Sequence, residues 1–273
     1  MDTWRLLLTP PSRGAWNMAV EEALLEAVGR GDSLPALRLY AWQPSCLSLG
    51  YAQPFSDVDI PRLKERGWEL VRRPTGGRAI LHTDELTYSV IAPVYEPRLA
   101  GALPESYNRL AGALLAALRL LGLPVEIQER LAASRAGNVN PACFEVPSSY
   151  EITVRGKKLV GSAQARRKEG ILQHGSLPLN GDLARITQVL VFPDEETRTR
   201  ASSHLLDRAT TVETALGRVV SWNEAAQAYT AAFRSVLALD LQPGELSPQE
   251  KERTGQLVAA KYTHPNWNRK QKS

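Results

Sequence analysis

The chemistry in this sequence gathers around Cys143. The residue lies in Asn140-Pro141-Ala142-Cys143-Phe144-Glu145-Val146-Pro147-Ser148, just ahead of a predicted strand hairpin that carries Lys157 and Lys158. A thiol between two prolines, with amines close by in sequence, fits a nucleophile kept partly as thiolate by a neighbouring positive charge, and that chemistry points to acyl transfer. Position alone fits a small buried hydrophobe equally well, because free cysteines usually sit inside. Strand alternation puts Lys158, Val160, Ser162 and Gln164 on one face. A lysine beside small and polar side chains at the start of an inner strand is open to partial desolvation, which suits an amine to chemistry. Lys157 reads instead as an exposed turn residue.

A second group of residues surrounds Pro74-Thr75-Gly76-Gly77. Strands are expected over 68–73 and 78–82, so the two glycines between them read as a hairpin turn. They read equally as a loop whose bare backbone lets a ligand come close, with Arg72, Arg73 and Arg78 supplying positive charge around it. His82, His174, His204 and His264 are too scattered to argue for a metal, and none is expected. There is no Gly-x-x-x-x-Gly-Lys-Ser/Thr loop, no His-Glu-x-x-His and no Cys-x-x-Cys.

The elements that must position these residues follow from periodicity. Trp4 to Leu8 reads as a first strand. Trp16, Val20, Ala23, Leu24, Ala27 and Val28 recur at helical spacing, which leaves Glu21, Glu22 and Glu26 largely toward solvent, and Gly29 and Gly31 supply a stop. Strands are expected over 36–40, 46–49 and 84–91, with Cys46 a structural residue inside the second. Tyr107, Leu110, Ala111, Leu114, Leu118 and Leu121 form one face of a second helix ended by Gly122. Residues 125–127 read as a strand, and 131–141 as an aperiodic loop suited to deliver Cys143 into a site. Strands over 150–155, 158–164 and 171–177 follow, and then helices near 182–191, 222–237 and 248–262.

Composition bounds the function classes. At 273 residues with 43% hydrophobic content, the chain can bury a substantial core. The 33 basic and 29 acidic residues give a formal charge of +4. Arg72-Arg73, Arg166-Arg167-Lys168 and Arg269-Lys270-Gln271-Lys272 would steer an acidic partner. No helix-turn-helix, zinc-finger or basic aromatic sheet motif supports nucleic acid, which leaves a small acidic carrier protein. The opening Met1-Asp2-Thr3-Trp4-Arg5 lacks a basic region before an apolar run, and no later run is long enough to span a bilayer, so no membrane association and a cytoplasmic location are expected. Cys46 and Cys143 cannot build a disulfide framework.

Arg72-Arg73-Pro74-Thr75-Gly76-Gly77-Arg78-Ala79-Ile80-Leu81-His82, followed by Glu85-Leu86-Thr87-Tyr88-Ser89, resembles the lipoyl-binding signature of the biotinyl/lipoyl protein ligase and octanoyltransferase superfamily. Gly156-Lys157-Lys158-Leu159-Val160-Gly161-Ser162-Ala163-Gln164, with Gln173-His174-Gly175-Ser176-Leu177, resembles its lysine-bearing strands. Trp16-Asn17-Met18-Ala19, residues 42–53, Lys261-Tyr262 and Trp267-Asn268 extend the likeness over nearly the whole chain. Arg78 directly after the glycines, together with the Cys143 segment, is most similar to the LipM-type octanoyltransferases.

The resemblance implies an α+β fold in one catalytic domain spanning 1–273, with a core of about 30–240 and a helical extension over 241–273. Its sheet would be mixed, largely antiparallel and flanked by helices. It further implies transfer of an octanoyl group from octanoyl-acyl carrier protein to a lysine of a lipoyl domain, with the glycine cleavage H protein as acceptor and no cofactor. Cys143 would be the nucleophile and Lys158 its partner. Arg73, Thr75, Gly76, Gly77, Arg78 and His82 would wall the acyl tunnel, joined by Gly161, Ser162, Ala163, Gln164, His174 and Gly175. An amidotransferase between lipoyl domains, an ATP-dependent lipoate ligase and a non-catalytic binding module are the rivals. A monomer is the default.

Overall fold

The computed structural model describes residues 2–129 and 150–270. In chain order the elements are β1 (Asp2–Leu8), α1 (Gly14–Arg30), β2 (Ala36–Tyr40), β3 (Cys46–Leu49), α2 (Ile60–Glu65), β4 (Glu69–Arg72), β5 (Ile80–His82) and β6 (Glu85–Ala92). There follow α3 (Leu103–Leu120), β7 (Val125–Glu129), β8 (Tyr150–Val154), β9 (Lys157–Arg167), β10 (Gly170–Pro178), α4 (Glu195–Arg208) and α5 (Val212–Leu216). The chain closes with α6 (Trp222–Val236), β11 (Leu239–Pro243), α7 (Pro248–Leu257), a π-helical turn over Val258–Tyr262 and α8 (Pro265–Asn268).

The fold is α+β, as anticipated. Eight strands form one sheet in the order β11-β1-β2-β6-β10-β9-β8-β7, and β4-β3-β5 form a small second sheet. In the large sheet β1 runs parallel to β11 and β2, and every other pairing is antiparallel. β2, β6 and β10 are buried along their full lengths, so helices or the small sheet must cover both faces. On one face α3 and α6 pack Leu114, Leu118, Tyr229 and Phe233 against Leu37, Leu39, Tyr88 and Val90. On the other, α1 packs Val20, Leu24 and Val28 against Leu7, Ala36, Ile91 and Leu172.

Three features depart from the sequence reading. Glu21 is fully buried rather than solvent-facing, because α1 is enclosed on nearly every side. Glu22 receives the ammonium of Lys261 at 2.6 Å, and Glu26 receives Arg253 at 2.7 Å, so the C-terminal segment covers the flank that periodicity assigned to water. Second, β4 and β5 are not hairpin partners: β4 pairs parallel to β3 and β5 antiparallel to it on the opposite side. The glycine loop therefore crosses the end of β3, with Gly50 pressed against it. A Cβ on Gly50 would lie 1.9 Å from the Gly77 carbonyl oxygen. Third, α4, β11 and the short helices α2, α5 and α8 were not foreseen. Only Ala201 and Leu205 of α4 are buried, so no apolar stripe betrays it. Its start is fixed by the Asp194 side chain, which accepts from the Thr197 amide.

Arg72 fastens the C-terminal segment to the small sheet. Its guanidinium is buried and donates to the carbonyls of Gly50 at 2.8 Å, Gln53 at 2.6 Å and Asn268 at 2.9 Å. The Trp267 indole donates back to the Arg72 carbonyl at 2.8 Å. A lysine ammonium cannot span that fork. Arg72→Lys is therefore expected to cost about 3 kcal/mol, the worth of one or two buried charge-assisted bonds, read as a lower denaturant midpoint at unchanged slope.

Candidate functional site

A cleft opens where the glycine loop meets β9 and β10. Gly77 on one lip is exposed, and Ser162 and Ala163 on the other are half-buried, whereas Met18, Tyr40 and Trp42 at the inner end are buried. The mouth therefore lies between loop and strand, and the floor is aromatic. Two hydrogen bonds pin that floor: the Trp42 indole donates to Thr87 Oγ1 at 2.8 Å, and the Tyr40 hydroxyl donates to Glu21 Oε1 at 2.9 Å.

Of the residues expected at the site, Arg73, Gly77, His82, Gly161, Ser162, Ala163, His174 and Gly175 line this cavity. Thr75 is joined to it by a 2.6 Å bond from Oγ1 to His174 Nε2. Gly76 and Arg78 contribute backbone carbonyls, which accept from Arg73 Nη2 at 2.8 Å and 2.7 Å. Gln164 lies beside the lip, bonded to Ser106 and Gln173. Lys158 is buried on β9 with its Nζ 3.1 Å from Glu151 Oε1, and it is not among the lining residues. Cys143 lies outside the described residues. Cys46 is enclosed, and burial pushes its thiol well up, which leaves it protonated and unreactive.

The cavity is lined by histidine, serine, threonine and arginine, and most of those polar atoms are engaged within the wall, while the Ser176 hydroxyl is buried without a hydrogen-bond partner among the described residues. His82 Nδ1 faces Glu85 Oε1 at 2.7 Å, its Nε2 faces Ser48 Oγ at 2.8 Å, and Ser48 accepts from Arg73 Nη1 at 3.1 Å. Trp42 stacks flat on the His82 ring with centroids 3.9 Å apart. His174 Nδ1 faces Glu21 Oε2 at 2.8 Å. A nitrogen facing a carboxylate carries its proton, so in each histidine Nδ1 is the protonated position. The walls thus offer a ligand mainly ring faces, methyls and glycine backbone, which suits an alkyl chain.

Burial alone would push both carboxyls up. For Glu21 the charges of His174 and Arg38 and the bonds from His174 and Tyr40 outweigh it, and for Glu85 the charge of His82 and bonds from His82 and Thr87 do so. Both are held below the ordinary carboxylate value. Sequence reading missed Met18, Tyr40, Trp42, Ser48, Ile80, Thr87 and Ser176 as lining residues and Glu21 and Glu85 as their supports. The signal for Glu85 was its place three residues after His82.

Residues 13–234 match the family described as lipoyl protein ligase A/B catalytic domain. An octanoyltransferase LipM of Kyrpidia tusciae is 43% identical, over 98% of this chain and 99% of its own length. One of Moorella thermoacetica is 45% identical, over 97% of each. Among solved structures, a bipartite lipoate protein ligase of Thermoplasma acidophilum superposes with a TM-score of 0.82 at 26% identity, covering 100% of this chain and 99% of that one. A lipoate-protein ligase A bound with ATP gives 0.78 at 27% identity, covering 98% and 99%.

Two outcomes follow from the site's packing. A Cβ on Gly175 would meet the Gly161 carbonyl oxygen at 2.6 Å and Tyr88 Cε1 at 2.6 Å. Gly175→Ala should cost about 1–3 kcal/mol by overpacking, measured by equilibrium unfolding. Because the Glu21 and Glu85 carboxyls titrate lower folded than unfolded, their stabilisation is complete above the ordinary value of about 4.3 and fades as pH falls through the depressed folded values. The acid arm of a stability profile from pH 7 downward should be steeper for the native chain than for Glu85→Gln.

Proposed function

The chain belongs to the lipoyl protein ligase A/B catalytic family, among its LipM octanoyltransferases, and from that premise we propose that it moves an octanoyl group from acyl carrier protein to a lysine of a lipoyl domain, with the glycine cleavage H protein as acceptor and Cys143 as the acyl carrier between them. The observation that carries this reading is the cavity itself. It is floored by pinned aromatic rings and lined mostly by polar groups already engaged with one another. A saturated chain entering it gains burial without leaving polar atoms unpaired.

In the proposed reaction the Cys143 thiolate attacks the donor thioester carbonyl, and collapse of the tetrahedral intermediate expels the carrier's thiolate. The acceptor lysine, as free amine, then attacks the cysteine thioester and expels Cys143 as thiolate, leaving an amide. One thioester replaces another at nearly equal free energy and aminolysis runs downhill, so no ATP is needed. Lys158 favours the thiolate by its charge and stabilises the developing oxyanion. Its burial supports this role, because a charge acts more strongly where water is excluded. The Glu151 carboxylate at 3.1 Å holds the ammonium in place. Basic clusters at 166–168 and 269–270 give acidic carrier and lipoyl domains a surface to approach.

Intact-protein mass spectrometry after mixing with octanoyl-acyl carrier protein, without ATP, tests the reading. A hydroxylamine-labile octanoyl adduct is expected on the native chain, absent from Cys143→Ala and discharged by apo H protein. An adduct formed only from an octanoylated lipoyl domain would make the protein an amidotransferase. Octanoylation that needs ATP and free octanoate, and survives Cys143→Ser, would make it a ligase.

A further inference from the structure

Two hydrogen-bond chains leave the core and end on the same short segment. One starts at Glu21 on α1, passes through His174 on β10 and ends at Thr75 Oγ1. The other starts at Glu85 on β6 and passes through His82 on β5 and Ser48 on β3 to Arg73, whose Nη2 holds the carbonyls of Gly76 and Arg78. Glu21, Glu85, Ser48 and Thr75 are all at least nine-tenths buried, whereas Gly76 and Gly77 between the anchor points are exposed. The loop has no secondary structure of its own to hold it over the cavity. Its position is set mainly at Thr75 and at the Arg73 guanidinium, with Arg167 Nη2 3.5 Å from the Pro74 carbonyl as a weaker anchor.

We propose that Glu21 and Glu85 are positioning residues of the pocket mouth, each acting through a histidine to hold the 73–78 loop at the height that admits a ligand's chain. Neither carboxylate touches the cavity. Each holds its histidine ring through Nδ1, which fixes the place where Nε2 meets Ser48 Oγ or Thr75 Oγ1. The loop is then held by directional bonds between buried groups, whose loss leaves a polar atom unpaired. Other groups facing Glu21 are the Tyr40 hydroxyl at 2.9 Å and the Arg38 guanidinium, which lies over the Tyr40 ring at 3.9 Å. They keep the carboxylate in place when the histidine is altered.

The test combines hydrogen exchange and kinetics in Glu21→Gln, Thr75→Val, Thr75→Ser and the Glu21→Gln/Thr75→Val double variant. The Tyr51 amide donates to the Thr75 carbonyl at 2.8 Å and reports the loop without any substrate. It should exchange about tenfold faster in Glu21→Gln and in Thr75→Val, the equivalent of one buried hydrogen bond, and at the native rate in Thr75→Ser. Because both changes cut one chain, the double variant should be no worse than the more affected single variant. In octanoyl transfer, KM for the donor should rise by a similar factor with kcat little changed. Native exchange at Tyr51 in Thr75→Val, or effects that add in the double variant, would overturn the proposal. The kinetic arm rests on the acyl-transfer reading, but the exchange arm does not. A protein that transfers no octanoyl yet shows the exchange pattern would lose that reading and keep this one.

Discussion

Two consecutive arginines at the end of β4 tie the molecule together, and both are buried against backbone carbonyls. Consecutive residues at a strand end point to opposite sides, so Arg72 reaches the C-terminal helix α8 and the 50–53 turn while Arg73 reaches the glycine loop. A planar guanidinium with five donors is suited to gathering several carbonyls at once, and its charge satisfies them more strongly than a neutral donor would. Burial lowers the Arg72 pKa, yet a guanidinium stays charged under any ordinary condition. The small sheet, the loop and the chain's last helix are thereby fixed relative to one another, and the cavity exists where they meet the large sheet.

The cavity illustrates how an apolar binding surface can be made from polar residues. His82, His174, Ser48, Thr75 and Arg73 have most of their bonding capacity taken up by one another and by two buried glutamates. Such a wall is stiffer than one built of leucines, because directional bonds fix each ring in one orientation. Shape and polarity are thus decided by residues one step removed from the ligand.

Much of the architecture was legible because Leu37 and Leu39 in β2 and Leu86, Tyr88 and Val90 in β6 alternate along their strands and α3 carries a clean stripe, so periodicity and burial agree. Most of the cavity's lining was legible through the two quoted motifs around Gly76 and Gly161. What escaped were the supports. Glu21 sits on a helix whose periodicity ranks it as surface, and only the three-dimensional closure of α7 and the large sheet around α1 makes it interior. Tyr40 was read only as a strand residue and Trp42 only as part of a motif, and both prove to be core aromatics that also line the cavity. α4 escaped for the opposite reason: an N-cap and pairs such as Glu196 with Arg200 sustain it on a nearly polar surface.

The pairing of β1 with β11 carries a consequence for how the molecule is made. Asp2 lies opposite Leu239, so β1 is synthesised well before one of its two sheet neighbours. The other neighbour, β2, is available at once. During synthesis the outer edge of β1 is a row of open backbone donors and acceptors, the kind of template on which another nascent chain can pair. Arg5 breaks up the apolar run of that strand while it waits, and after release the same side chain finds Glu250 at 2.7 Å on α7. The same charge thus interrupts the strand's apolar run and ties it to α7.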